Sequence, residues 1–245
     1  MFTLLKKELS TFLSSLIGYI AIVVFLIFNG LFLWIIEGES NVMSYGLANI
    51  DGLFLLAPWI FLFLIPAITM KVFAEEKKNG TIELLLTKPL SDISIIFSKF
   101  LAGVILVIVS ILPTLIYVIA VYQLGLPKGN LDLGGIMGSY LGLVFLGSIF
   151  VAIGVFCSSL TDNQIIAFIL SVVLSGIMYI GFEYLAVIPL LSEIDLLIRS
   201  LGINHHYSSI SRGVIDTRDV IYYLSAIGLF LLLTKLCLES RNWKK

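Results

Sequence analysis

The densest chemistry in this 245-residue chain lies in FAEEKKNGTIELLLTKPLSD, where seven side chains between Glu75 and Asp92 are ionised. Elsewhere the groups that could act on a substrate are few and scattered. His205 and His206 have no further ligands nearby in sequence and fall on no regular element, and Cys157 and Cys237 read as packing residues. Glu183, near the end of the fifth apolar run, is the one carboxylate within any of them. A self-contained intramembrane carrier or enzyme needs ionisable or nucleophilic groups deep in a bundle, so this alternative has Glu183 alone to work with, and no G-x-S-x-G is present. No lysine follows a glycine, which excludes a G-x-x-x-x-G-K-[ST] phosphate loop. Any ATP-driven role therefore needs a second polypeptide.

The elements that must carry these residues are set by composition. With 59% hydrophobic residues, 13% charged residues and a mean hydropathy of +1.09, the chain is an integral membrane protein. Its length accommodates about six helices of roughly 20 residues each. Six runs qualify: Leu16–Ile36, Leu53–Met70, Ile95–Val121, Ile136–Cys157, Ile165–Ile188 and Val220–Leu238. The fold class is thus all-α, residues 1–245 forming one transmembrane domain. The first run is too long for a signal-peptide core and should remain as an anchor.

Lys99 and Lys235 lie close enough to span ends to snorkel to the headgroups. Asn29 should turn its amide to a neighbouring helix, Pro58, Pro66 and Pro113 should bend their spans, and Gly134, Gly138 and Gly142 should admit a close neighbour. At 1.5 Å per residue Glu183 sits near the interface opposite the start of its span. With the N-terminus inside, the inner segments hold eleven Lys and Arg and the outer ones four, which places both termini and the charged loop (71–94) in the cytoplasm.

Inserting the seven ionised side chains of the loop would cost on the order of 20 kcal/mol, so the segment lies outside the bilayer core. Gly80 interrupts it, Thr81 is placed to N-cap a helix, Glu83 suits the first turn and Pro89 stops the helix. Ile82, Leu84, Leu85 and Leu86 then form about two apolar-rich turns that need cover. Ahead of the first span, residues 1–15 place Leu5, Leu9, Phe12 and Leu13 on one side with Lys6 and Lys7 nearby, as an interfacial helix does. In the last outer segment (189–219), Ile194, Leu197, Ile198 and Leu201 share a helical face, and Arg212 and Asp216 are spaced to pair on a helix.

EEKKNGTIELLLTKPLSD, placed between a second and a third span, resembles the signature loop of the ABC-2 type permeases, the membrane subunits of a class of ATP-binding-cassette exporters. KKELSTFLSSLIGYI resembles the interfacial helix that enters their first span, with Leu-Ser-Ser where a Pro is common. The resemblance covers the whole chain and implies the six-span ABC-2 permease fold. It also implies a coupling role for Glu75, Glu76, Lys77, Gly80, Thr81, Leu84, Leu85 and Pro89, and an outer capping role for Arg212, Gly213 and Asp216. ATP and Mg would then be held by a partner ATPase, with no cofactor, metal or nucleic acid on this chain. NGLFLWIIEG, LAPWIFLFLIPAITM and SRGVIDTRDVIYYLS are similar to the gliding-motility permeases of GldF type, which implies a GldA-like ATPase. They also imply a GldG-like second permease subunit or a second copy of this chain, in a bacterial inner membrane.

Overall fold

The computed structural model describes residues 1–44, 48–86 and 91–240. Helix α1 (Phe2–Ser14) meets α2 (Leu16–Trp34) at a 63° bend. Ser15 makes the bend: its backbone is extended, its Oγ donates to the Phe12 carbonyl (2.9 Å), and the same oxygen accepts the Gly18 N–H (3.1 Å). A serine here replaces the proline that the family pattern suggested, and capping takes over the work of breaking the helix.

The chain continues through α3 (Asp51–Thr69), the short α4 (Ala74–Lys78) and α5 (Thr81–Leu86), and α6 (Asp92–Ile111). Next come α7 (Leu115–Leu124), α8 (Leu133–Leu160), α9 (Gln164–Gly176) and α10 (Phe182–Ala186). The last three are α11 (Asp195–Leu201), α12 (Ile203–Ile210) and α13 (Thr217–Glu239). A 3-10 turn over Leu112–Thr114, carrying Pro113, joins α6 to α7, and a π turn over Ile177–Gly181 joins α9 to α10. Among the described residues five runs are long and apolar enough to cross a membrane, and the bent α1–α2 pair, taken as one span, supplies a sixth. Of the three prolines expected to bend their spans, Pro113 sits at a break, whereas Pro58 and Pro66 lie inside the single helix α3.

Helix α8 runs through the centre, most of its length buried against α3, α6, α9 and α13. Small residues allow this: a Cβ on Gly147 would come within 2.6 Å of Val107 Cγ1, and one on Gly154 within 2.7 Å of Thr69 Cβ. In lipid, where apolar burial gives little drive for helix association, such close backbone approach is a main source of packing energy. Gly138 and Gly142, from the stripe singled out in the sequence, serve a different neighbour. They take the backbone of Gly213 and the side chain of Ile210, so the stripe seats the 203–213 segment and not another span. Asn29 is fully buried, yet its amide donates to the Phe25 carbonyl of its own helix (2.8 Å) rather than to a neighbour.

Helix α1, the α4–α5 loop and the C-terminal ends of α8 and α13 gather at one end of the bundle, the proximal end; α11 and α12 lie at the distal end. The close packing gives a direct prediction. Gly154→Ala should destabilise the bundle by about 1–3 kcal/mol through overpacking against Thr69. Gly176→Ala, where nothing lies within 4 Å, should leave the midpoint unchanged or raise it. Melting temperatures in mild-detergent micelles compare the two.

Candidate functional site

Lys99 is the organising residue of the proximal end. It lies two turns into α6 with its side chain 1% exposed, so it does not snorkel. Its ammonium uses all three protons inside the protein: on Glu76 Oε1 of α4 (2.9 Å), on the Val72 carbonyl (2.8 Å) and on Glu8 Oε1 of α1 (3.2 Å). The same ammonium lies 5.1 Å above the Phe73 ring, a cation–π contact. Lys7 stands 3.7 Å from Glu8 and 3.8 Å from Glu76, so two lysines balance two carboxylates. A buried charge is tolerated only when paired and hydrogen-bonded, and here pairing requires three separate segments to meet.

Glu8 explains why the interfacial helix turns as it does. The buried stripe of α1 is Leu4, Glu8 and Phe12, with Leu5 and Leu9 half-buried beside it and Leu13 exposed. The stripe expected from the sequence is therefore rotated, because the apolar count omits a carboxylate whose partner is 91 residues away.

A second anchor holds α4 from behind. Ser158 Oγ, at the end of α8, accepts the N–H groups of Phe73 (2.9 Å) and Ala74 (3.0 Å) and donates to the Met70 carbonyl (2.9 Å). It caps the start of α4 from another helix. Lys77 Nζ donates to the Ser159 carbonyl, which also accepts Cys237 Sγ of α13 (3.0 Å). Neither serine stands out in the sequence, since both lie in an ordinary small-residue stretch at a span end.

The predicted loop residues divide. Glu76 and Lys77 face inward and are half-buried, while Glu75, Lys78, Asn79, Gly80, Thr81 and Glu83 are exposed. Thr81 is the first helical residue of α5 and not its cap; Gly80, at φ +69°, makes the turn before it. Ile82 packs against the core. Leu84 and Leu85 lie in α5, with side chains outside the described residues, and Pro89 lies outside them altogether. Between α1 and α4 a cleft of about 300 Å³ opens beside Lys7, Thr11, Lys71, Glu75 and Asn79.

At the distal end Arg212, Gly213 and Asp216 are close in sequence and separate in role. Arg212 Nε donates to the Ser208 carbonyl (2.9 Å), and Asp216 caps α13 by accepting the Arg218 N–H (2.9 Å), so the two form no helical pair. Gly213, at φ +82°, presses on the backbone of Gly135. Ser139 Oγ donates to the Ser211 carbonyl (2.7 Å) and Tyr207 OH to the Phe54 carbonyl (2.7 Å). Burial pushes the Tyr207 phenol well above its ordinary pKa, which keeps it a donor.

Both histidines lie on α12, contrary to the irregular placement expected. His206 bridges Asp219 Oδ1 (2.7 Å) and the Ser200 carbonyl (2.9 Å) and stacks on Tyr222 at 3.9 Å. Of the expected apolar face, Leu197, Ile198 and Leu201 lie on α11 while Ile194 precedes the helix, and Ile194, Leu197 and Leu201 are exposed.

Two substitutions test the proximal anchors. Lys99→Met leaves Glu8 and Glu76 with only the exposed Lys7, at 3.7 and 3.8 Å, to balance them, and should cost about 3–5 kcal/mol. Ser158→Ala strips the first N–H groups of α4 of their acceptor and should cost about 1–3 kcal/mol. Unfolding of the purified chain in micelles reads both, and an unchanged midpoint for Lys99→Met would show that the cluster is not closed.

A family model for "ABC-2 family transporter protein" matches residues 2–238, nearly the whole chain. No curated protein matches it. The chain belongs to the ABC-2 transporter family, and is a multi-pass membrane permease subunit of ATP-binding-cassette type.

Proposed function

We propose that the exposed surface of α4 and α5 receives a separate ATP-hydrolysing subunit in the cytoplasm and passes its movement into the spans. The observation that carries this reading is the division of the acidic pair. Glu76 is tied inward to Lys99, whereas Glu75 is exposed, as are Lys78, Asn79 and Glu83. A segment with an ionic back and a free polar front is suited to being pushed without detaching. Displacement of α4 would reach α6 through Lys99, α1 through Glu8, and α8 through Ser158. The preponderance of Lys and Arg at this end supports a cytoplasmic position for it and for both termini.

In this reading ATP and Mg bind the partner ATPase, and the chain itself holds neither. The gliding-type motifs support a more specific assignment. The chain is a GldF-like subunit of a bacterial inner-membrane complex, working with a GldA-like ATPase and a GldG-like permease or a second copy of itself. Such a complex moves a cargo or passes ATPase motion to envelope proteins in gliding.

The distal segment acts as a lid: Gly213 on Gly135, Ser211 on Ser139 and Tyr207 on Phe54 tie it to α8 and α3. Arg212 and Asp216 support it by fixing the end of α12 and the start of α13.

The proposal separates two reversals that the sequence alone would treat alike. Glu75→Lys should leave the chain folded while lowering ATPase recovery on co-purification, and ATPase turnover in the complex, by about tenfold. Glu76→Lys should instead reduce the amount of folded chain, because it sets a third cation beside Lys99 and Lys7. Undiminished ATPase recovery and turnover with Glu75→Lys would rule out the docking role.

A further inference from the structure

Two cavities on the α3–α9 side meet at Trp59, and they differ in chemistry. One, of about 640 Å³, lies between α2 and α3 and is walled almost wholly by apolar side chains, among them Val24, Phe28, Phe63 and Phe168. The other, of about 590 Å³, lies at the distal end between α3, the π turn with α10, and α11–α12. It contains one carboxylate, Glu183, and one guanidinium, Arg199, with Asn204 and the rings of Tyr179 and Tyr207 around them. A π turn interrupts the helix at this wall, and such turns recur at functional sites.

The polar groups are positioned for a ligand. Glu183 Oε1 accepts from Asn204 Nδ2 (2.9 Å), which fixes the carboxylate, and its second oxygen has no hydrogen-bonding partner among the described residues. Arg199 has a distant carboxylate neighbour, Asp195 at 3.9 Å, and its side chain is 38% exposed, so its planar fork is available to an anion. A carboxylate framed by tyrosine and tryptophan faces suits an ammonium group. The adjoining apolar groove suits a hydrocarbon chain.

We infer that this composite pocket binds one phospholipid with an ammonium headgroup from the leaflet at the distal end. Arg199 takes the phosphate, Glu183 the ammonium, and the groove beyond Trp59 an acyl chain. Opposite charges in one cavity favour a zwitterionic head over an anionic one, which would satisfy Arg199 and leave Glu183 facing a like charge or an uncharged group. The site lies about a bundle length from the α4–α5 surface and stands independently of the coupling proposal.

Contact quenching of Trp59 by brominated lipids tests the inference. The full-length chain carrying Trp34→Phe and Trp243→Phe is reconstituted in bilayers containing a low fraction of brominated phosphatidylethanolamine or brominated phosphatidylglycerol. Quenching by phosphatidylethanolamine should be about fivefold more effective. Glu183→Gln should abolish that preference, and Arg199→Gln should weaken quenching by both lipids. Equal quenching by the two lipids in the unaltered pocket would indicate annular lipid only and overturn the inference, as would stronger quenching by phosphatidylglycerol or a preference that survives Glu183→Gln. Should the tryptophan background fail to fold, native mass spectrometry of the otherwise unaltered chain incubated with both lipids reads the same preference. Retention of phosphatidylethanolamine supports the site, and retention of neither or of phosphatidylglycerol overturns it.

Discussion

A lysine that cannot reach water dictates the arrangement of the proximal end. Lys99 enters the bundle on α6 and must find partners there, because an unpaired ammonium in such surroundings would be strongly disfavoured. Its three protons go to Glu8 on α1 and to Glu76 and the Val72 carbonyl at α4, so α6 is tied to two segments remote from it in the chain. Rotating α1, withdrawing α4 or sliding α6 each leaves a charge uncompensated. The interaction contributes specificity of arrangement more than net stability, since the cost of burying the charges offsets much of their attraction. That balance suits a joint that moves as a unit.

The remaining packing makes the joint useful. Helix α8 carries Ser158 and Ser159 at the proximal end and Gly138 and Gly142 at the distal end, so one rod touches both the loop and the distal segment. Between them Gly147 and Gly154 bring α6 and α3 close enough that no compliant layer of long side chains intervenes. Interlocked helices of this kind move as stiff bodies against one another more readily than they bend. The break at Pro113 and the π turn at 177–181 interrupt two of the spans, and both lie toward the distal half.

Most of the architecture was legible in the sequence, because lipid leaves a chain little choice. A bilayer core demands internally satisfied backbone and about twenty apolar residues per crossing, so the six runs end within a few residues of the helices that form. The helix break at Gly80 and the short helix after it were equally readable from local chemistry. What misled was counting each charge by its distance from a span end. Lys99 looked free to snorkel, and Glu8 did not register on the apolar face of α1, because each is explained only by the other.

The sequence by itself determined the membrane class, the six apolar crossings, the charged loop between the second and third of them, and the absence of a phosphate loop of its own. These follow from composition and near-neighbour spacing, which hydration and backbone hydrogen bonding act on directly. Only the tertiary structure decided that Glu76 faces in while Glu75 faces out, that Ser158 caps a helix 84 residues earlier, and that Glu183 shares a cavity with Arg199. Those outcomes depend on which helix faces meet, a property of packing between segments remote in sequence. A residue's type cannot carry that information alone, because the partner that gives a buried polar group its meaning is supplied by another part of the chain.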